Sequence, residues 1–234
     1  MTAGLVDEGL LVVGEADDRG LVVRLLGGAG VVLHCRSTLG DGDHREIGDL
    51  DAATTRRDAK GVAASLRDRG YAPETRFNAL HGERRMIFHG PAGKLDLFVD
   101  VFEMCHRIDL TSRLELDTPT LTASDLLLTK LQVVELNAKD ASDAALLLRE
   151  HELASGAGDW IDVDYLAGLT GDDWGLWRTA TLTLDRLAEL EPGVADKAGA
   201  LRAALDDGPK TRRFRLRARV GERKRWYEIP DEVG

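Results

Sequence analysis

Residues 47–53 read Ile-Gly-Asp-Leu-Asp-Ala-Ala and place two aspartates, Asp49 and Asp51, one residue apart in an otherwise apolar stretch. The stretch predicts a β-strand, on which side chains two residues apart point the same way. Asp49 and Asp51 therefore share one face, and Leu50 points to the other. Two carboxylates this close repel each other unless a cation or solvent compensates them, so the pair suggests a cation site.

A glycine turn precedes this strand. Residues 21–26, Leu-Val-Val-Arg-Leu-Leu, predict a short strand that Gly27-Gly28-Ala29-Gly30 interrupts before a short helix. Backbone N–H groups at a strand–glycine–helix junction can approach an anion closely. Gly27 and Gly28 are therefore candidate phosphate contacts.

A second acidic strand follows further along the chain. Residues 94–100 read Lys-Leu-Asp-Leu-Phe-Val-Asp, which predicts a strand over 94–102 with Asp96 and Asp100 on one face. Residues 90–93, Gly-Pro-Ala-Gly, predict a hairpin turn to another strand over 84–89. Magnesium prefers oxygen ligands and is often held by one or two carboxylates plus substrate phosphates. Asp49 and Asp51, with Asp96 or Asp100 as the third acid, thus predict a metal–nucleotide site for an in-line displacement.

The order strand, Gly27-Gly28, Asp-Leu-Asp and then Leu-Asp-Leu on a later strand resembles the minimal nucleotidyltransferase fold of the polymerase-beta superfamily. Within it, the chain is most similar to the AbiEii/AbiGii toxin type. Arg45 stands four residues before Asp49, as an arginine often does in that group. Residues 126–131, Leu-Leu-Leu-Thr-Lys-Leu, and 139–143, Lys-Asp-Ala-Ser-Asp, resemble its lysine motif and its later Lys-Asp-x-x-Asp motif. The resemblance covers about residues 21–148.

The resemblance implies a role for each matching residue. Asp49 and Asp51 would bind Mg²⁺, and Asp96, rather than Asp100, would complete the metal site and help to activate the attacking hydroxyl. Gly27 and Gly28, with Arg45, would contact the triphosphate. Lys130 would neutralise phosphate charge, and Asp143 or Asp140 would orient Lys130 or the nucleotide. Two positions depart from the family pattern, because Ala29 and Ile47 stand where a hydroxyl residue is common.

The predicted reaction transfers a nucleoside monophosphate from a nucleoside triphosphate (NTP) to an acceptor hydroxyl. The toxin resemblance implies an RNA acceptor, such as the acceptor end of a transfer RNA, and a separate antitoxin as partner. Two alternatives stay open: a small-molecule acceptor such as an aminoglycoside, and a nucleotide-binding module that has lost catalysis.

The predicted fold class is α/β, a mixed sheet with flanking helices followed by a helical C-terminal region. The predicted division is a nucleotidyltransferase domain over 1–120, a helical domain over 121–208 and a basic tail over 209–234. Helices are predicted over about 57–69, 122–136, 141–151, 162–169, 174–190 and 194–205 from apolar periodicity and flanking Gly, Pro and capping residues.

The tail is set apart by its charge. Residues 209–234 hold nine Lys and Arg against four acids, a net charge of +5 in a chain of net charge −10. Its alternating basic residues predict a strand with one basic face. That face can follow a phosphate backbone, with Phe214 or Trp226 stacked on a base, or it can protect a sheet edge or dock on the acidic remainder of the chain.

Composition excludes several classes. Of the 234 residues, 43% are hydrophobic and 31% charged, which is typical of a globular protein rather than a disordered one. The two cysteines argue against a disulfide framework. They predict buried thiols; a zinc site from His34-Cys35 and Cys105-His106 is the weaker alternative. The sequence shows neither a secretory signal nor an apolar run that could span a bilayer, so we expect a cytoplasmic protein that does not associate with membranes.

Overall fold

The computed structural model describes residues 2–35 and 47–229. Arg45, a predicted triphosphate contact, lies outside these residues. The chain divides into two compact units, one formed by Met1–Phe102 and Ile108–Thr122 and the other by Glu103–Arg107 and Ala123–Gly234. In the part of the chain that is described, no helix combines the length and the apolar character needed to span a bilayer.

The first unit is built on a five-stranded mixed sheet with the strand order β1-β2-β5-β4-β3. Strands β2 and β5 run parallel, and the other neighbouring pairs are antiparallel. The strands are β1 (Val23–Leu26), β2 (Leu50–Thr54), β3 (Ala72–Pro73), β4 (Arg85–Gly90) and β5 (Gly93–Val99), and the helices are α1 (Thr2–Asp18), α2 (Gly27–His34), α3 (Ala59–Asp68) and α4 (Thr75–His81). Two short strands, β6 (Val101–Glu103) and β7 (Arg107–Asp109), form a separate pair.

The hydrophobic core of this unit lies on one face of the sheet. Leu50, Leu95 and Leu97 belong to it together with apolar residues of α1 and α3. The sequence analysis missed α1, although its buried residues recur at helical spacing: Leu5, Val6, Val12, Val13 and Ala16. Arg69, just after α3, holds α1 in place, because its Nε and Nη2 each lie 2.7 Å from a carboxylate oxygen of Glu8.

The second unit is helical. Its helices are α5 (Ala123–Leu131), α6 (Ala138–Glu150), α7 (Val163–Asp172), α8 (Trp174–Leu190), α9 (Ala195–Asp207) and α10 (Arg212–Val220), with a short parallel pair β8 (Leu153–Ala154) and β9 (Ile161–Asp162). Side-chain oxygens of Asn137, Asp162 and Asp173 cap the first turns of α6, α7 and α8. The predicted fold class, a mixed sheet with flanking helices followed by a helical region, is therefore confirmed.

The prediction that the basic tail forms a strand is wrong. Residues 212–220 form helix α10, which begins where Thr211 Oγ1 accepts a hydrogen bond from the Phe214 N–H and ends before Gly221, whose φ is +59°. Arginine, leucine and alanine are strong helix formers, so the capped segment is helical despite its alternating charge. Phe214 is buried and packs edge-on against Trp177, with ring centroids 5.5 Å apart.

Candidate active site

The two central strands bring two of the predicted acids together. Asp51 on β2 and Asp96 on β5 are direct partners in the parallel register. Neighbouring strands lie about 4.8 Å apart, so the two side chains leave the sheet side by side. Leu50, Leu95 and Leu97 point into the core on the opposite face. Asp51 and Asp96 therefore share the face away from that core.

The other two acids of these segments, Asp49 and Asp100, lie outside strands β2 and β5. Asp49 comes directly before β2 and is half-buried, two residues from Asp51. Asp100, by contrast, follows the end of β5 with a φ of +61°, and its Oδ1 accepts a hydrogen bond of 2.8 Å from the Arg56 N–H. Asp100 stands four residues beyond Asp96, about 13 Å along the strand direction. The strand ends at Val99, so the alternation that predicts a shared face for Asp96 and Asp100 does not extend to Asp100.

Gly27 lies directly against the carboxylate of Asp51. Leu26 is the register partner of Asp51, and α2 begins at the next residue, so the glycine turn faces β2. Gly27 has a φ of +60°, and a Cβ added to it would lie 2.1 Å from Asp51 Oδ2. No side chain caps the start of α2. The site therefore combines carboxylates with the start of a helix that no side chain caps, a donor set that suits a cation bound to an anionic ligand.

Two basic residues missed by the sequence analysis hold Asp96. Arg85 Nη2 lies 3.0 Å from Asp96 Oδ1, and Lys94 Nζ lies 3.0 Å from Oδ2. The signal was present in the sequence, since Lys94 is two residues from Asp96 on the same strand and Arg85 is on the predicted hairpin partner. The guanidinium of Arg85 is held further by the rings of Phe77 and Phe98, at 5.8 and 5.3 Å from their centroids.

The ion pairs of Asp96 with Arg85 and Lys94 determine how Asp96 could bind a metal. The carboxylate is buried, with 2% of the residue exposed, and its charge is balanced by two cations. A carboxylate has about four lone-pair positions, so each oxygen can still accept another partner. Asp96 can therefore join a metal site either by sharing its oxygens or by exchanging Arg85 or Lys94 for the metal.

The remaining predicted residues form a cluster inside the helical unit. Lys130 Nζ, at the end of α5, lies 2.8 Å from Asp140 Oδ1 and 3.0 Å from Asp143 Oδ2, both on α6. Burial by itself lowers the pKa of Lys130, but the two carboxylates outweigh it and hold the pKa above its ordinary value. Lys130 is therefore charged and ties the two helices together. Its predicted role toward phosphate stays a prediction.

The cysteines and their neighbouring histidines have ordinary structural surroundings. Cys35 and Cys105 are both buried. His34 Nε2 lies 3.0 Å from the carbonyl oxygen of Leu121, and His106 Nε2 lies 2.8 Å from Thr179 Oγ1. The prediction of buried thiols is confirmed.

No protein-family model matches the sequence, and no curated protein sequence matches it either. Among solved structures, the chain is similar to the antibiotic-resistance factor ANT(2'')-Ia, at 12% identity and a TM-score of 0.46, over 84% of this chain and 100% of that one. It is also similar to an antigenic nucleotidyltransferase-like protein from Paracoccidioides brasiliensis, at 14% identity and a TM-score of 0.46, over 88% of this chain and 94% of that one.

Proposed function

We propose that this protein is a magnesium-dependent nucleotidyltransferase, which transfers a nucleoside monophosphate from an NTP to an acceptor hydroxyl and releases pyrophosphate. The observation that carries the proposal is the register pairing of Asp51 with Asp96 beside Gly27. Adjacent acids on a sheet that lie against a glycine-initiated helix have a clear use if they hold a cation over a triphosphate.

Each group has a distinct task in this proposal. Asp49 and Asp51 hold Mg²⁺, which when bound neutralises charge on the phosphates. The N–H groups of Gly27 and Gly28, with Arg45, hold the triphosphate. Asp96 takes the proton of the acceptor hydroxyl. The oxygen of that hydroxyl bonds to the α-phosphorus, and the bond from the α-phosphorus to pyrophosphate breaks.

The family resemblance supports a further role for Lys130 in this proposal. Lys130 neutralises phosphate, and Asp143 and Asp140 orient the lysine. The ion pairs of Lys130 with both carboxylates support the orienting role, because they fix the ammonium group in one place.

We further propose that the acceptor is RNA, such as the acceptor end of a transfer RNA, and that the protein acts in the cytoplasm as a toxin held in check by an antitoxin. The sequence resemblance to the AbiEii/AbiGii type supports this assignment. Expression would then arrest growth, and Asp51→Asn would relieve the arrest.

One observation favours a second candidate, a nucleotide-binding module without catalysis. Asp96 is paired with both Arg85 and Lys94, and a carboxylate neutralised in this way is a poor base if the pairs persist when nucleotide binds. Such a protein would bind an NTP and be stabilised by it without releasing pyrophosphate.

The test measures pyrophosphate release and label transfer from each α-labelled NTP, with Mg²⁺ and total RNA. We expect Asp51→Asn and Asp96→Asn each to reduce transfer by about 100-fold or more, because each removes a charge at the reacting phosphates. Asp100→Asn is the matched control, since asparagine tolerates a positive φ and the residue lies outside the cluster. It should keep full activity.

Each other outcome has a definite meaning. Label transferred to a small molecule instead of RNA would reject the RNA acceptor and the toxin role but keep the chemistry. NTP binding without pyrophosphate release would support the inactive module. An equal loss in Asp100→Asn and Asp96→Asn would refute the assignment of Asp96.

A further inference from the structure

The helical unit contains a cleft that plays no part in the proposed reaction. It has a volume of about 800 Å³ and lies between α10, the start of α8 and the segment 224–228. Its walls combine basic and aromatic side chains, chiefly Arg213, Arg217, Lys224, Arg225, Trp226 and Tyr227, with three acids, Asp172, Asp173 and Glu228. Cations therefore slightly outnumber acids in the lining, whereas the chain as a whole has a net charge of −10.

Positive charge is concentrated around this cleft. Residues 210–225 hold nine Lys and Arg and a single acid, Glu222. Most of these cations are exposed: Arg212, Arg213, Arg215, Arg219, Arg223, Lys224 and Arg225. Like charges one turn apart destabilise a helix, so α10 carries a charge pattern that works against its own stability. A bound polyanion would remove that repulsion.

Contacts within the protein do not account for this charge. Arg217 donates to the carbonyl oxygens of Gly221 and Lys224, and Arg223 donates to that of Arg219, so these contacts leave the positive charge in place. Arg213 is paired with Asp172 at 3.4 Å and with Asp173 at 3.8 Å but is largely exposed. Helix α10 is docked by the buried ring of Phe214 and by Arg217, whose guanidinium lies 4.6 Å from the centre of the Trp174 ring.

Two aromatic rings of the cleft, Trp226 and Tyr227, are held in place by contacts with neighbouring side chains. Trp226 Nε1 donates a hydrogen bond of 3.0 Å to Thr179 Oγ1, and the Tyr227 ring lies 5.4 Å from the Trp226 ring. The guanidinium of Arg225 lies 5.7 Å from the centre of the Tyr227 ring. Trp226 and Tyr227 are half-buried, so each ring keeps part of its surface accessible.

We propose that this cleft binds single-stranded nucleic acid, with phosphates along the exposed cations of α10 and residues 224–225 and a base stacked on Tyr227. A basic groove with aromatic rings at its side is the combination by which proteins hold single strands. A duplex keeps its bases stacked inside, so it offers the rings nothing to stack on. An acidic protein segment would use the cations but not the rings.

Helix α10 is about 13 Å long, which limits the contact to about three phosphates. For a single strand the slope of log K against log salt is about −0.7 per phosphate, so the expected slope is about −2. This binding needs neither NTP nor Mg²⁺. Its failure therefore leaves the proposed transferase reaction untouched, and failure of that reaction leaves the cleft untouched.

The experiment measures fluorescence anisotropy of a labelled 12-nucleotide oligouridylate with the full chain, without NTP or Mg²⁺. Lys224→Glu/Arg225→Glu should weaken binding at least tenfold. The control Lys60→Glu/Arg67→Glu changes the net charge equally on exposed residues of α3 and should alter binding less than twofold. Circular dichroism confirms that both variants are folded.

Tyr227 separates base stacking from charge attraction. Tyr227→Ala should weaken binding by about fivefold to a hundredfold, and Tyr227→Phe should restore it, because stacking needs the ring and not the hydroxyl. The proposal is overturned if the oligouridylate does not bind, or if a duplex of equal length binds as tightly. It is also overturned if polyglutamate competes equally well and Tyr227→Ala has no effect, which would identify the cleft as a site for acidic protein.

Discussion

Replacing Gly27 with alanine tests the contact on which the candidate site is built. Two separate costs are expected. A left-handed φ of +60° costs an alanine about 1–2 kcal/mol. The new Cβ would also lie 2.1 Å from Asp51 Oδ2, where ordinary contact begins at 3.4 Å. The carboxylate would have to retreat by about 1 Å on a strand paired on both sides, and overpacking of this kind costs about 1–3 kcal/mol.

Gly20 supplies a matched control for the first cost alone. Its φ is +68°, and an added Cβ there would meet nothing within 4 Å. Gly20→Ala should therefore lower the free energy of unfolding by about 1–2 kcal/mol, and Gly27→Ala by about 2–5 kcal/mol. Urea unfolding followed by circular dichroism measures the difference. Amide exchange of β2 reports on the sheet unit separately.

A double substitution isolates the contact itself. In an Asp51→Ala background the carboxylate is gone, so Gly27→Ala should cost about 1–2 kcal/mol, the same as Gly20→Ala. The reasoning is refuted if Gly27→Ala costs no more than Gly20→Ala in the unmodified chain. It is refuted equally if the larger cost persists once Asp51 is removed.

Three further predictions concern the helical unit. Lys130→Met should destabilise the protein by about 3–5 kcal/mol in urea unfolding, because it leaves Asp143 facing a second carboxylate without a cation; adding Asp143→Asn should recover part of the loss, and no recovery would contradict the pairing. Burial lowers the pKa of His106 below its ordinary 6.5, against a smaller opposing effect of Asp173. As the pH drops, the unfolded chain therefore binds a proton on His106 before the folded chain does. The free energy of unfolding should fall below pH 6.5, until the folded pKa is passed, with a slope of up to about 1.4 kcal/mol per pH unit. His106→Gln should remove this slope, and an unchanged slope in that variant would rule His106 out. Phe214→Ala should cost about 3–5 kcal/mol, because it empties a buried ring site; amide exchange should accelerate in α10, and unaltered exchange there would show that the ring does not anchor the helix.

The local sequence pattern was sufficient to predict an element where the residues that stabilise it lie nearby in the chain. The hairpin of β4 and β5 was predictable because its turn, residues 90–93, specifies the pairing by itself. Helix α8 has the predicted bounds, Trp174–Leu190, since apolar period and capping residue agree. Helix α1 was missed although its apolar residues repeat at helical spacing. The alternating charge of α10 predicts a strand, but the helix propensity of arginine, leucine and alanine and the Thr211 cap favour the helix that is observed.

The sequence by itself determined which chemistry is available: a glycine turn, an Asp-x-Asp strand and a second acidic strand in that order. Only the tertiary structure decided which acids meet. Asp96 and Asp100 are equivalent in an alternating pattern, but the parallel register pairs Asp96 with Asp51, and β5 ends before Asp100, which has a positive φ. The ion pair between Arg85 and Asp96 depends in the same way on the pairing of strands β4 and β5. A register joins residues far apart in the chain, and nothing in either segment alone records the match.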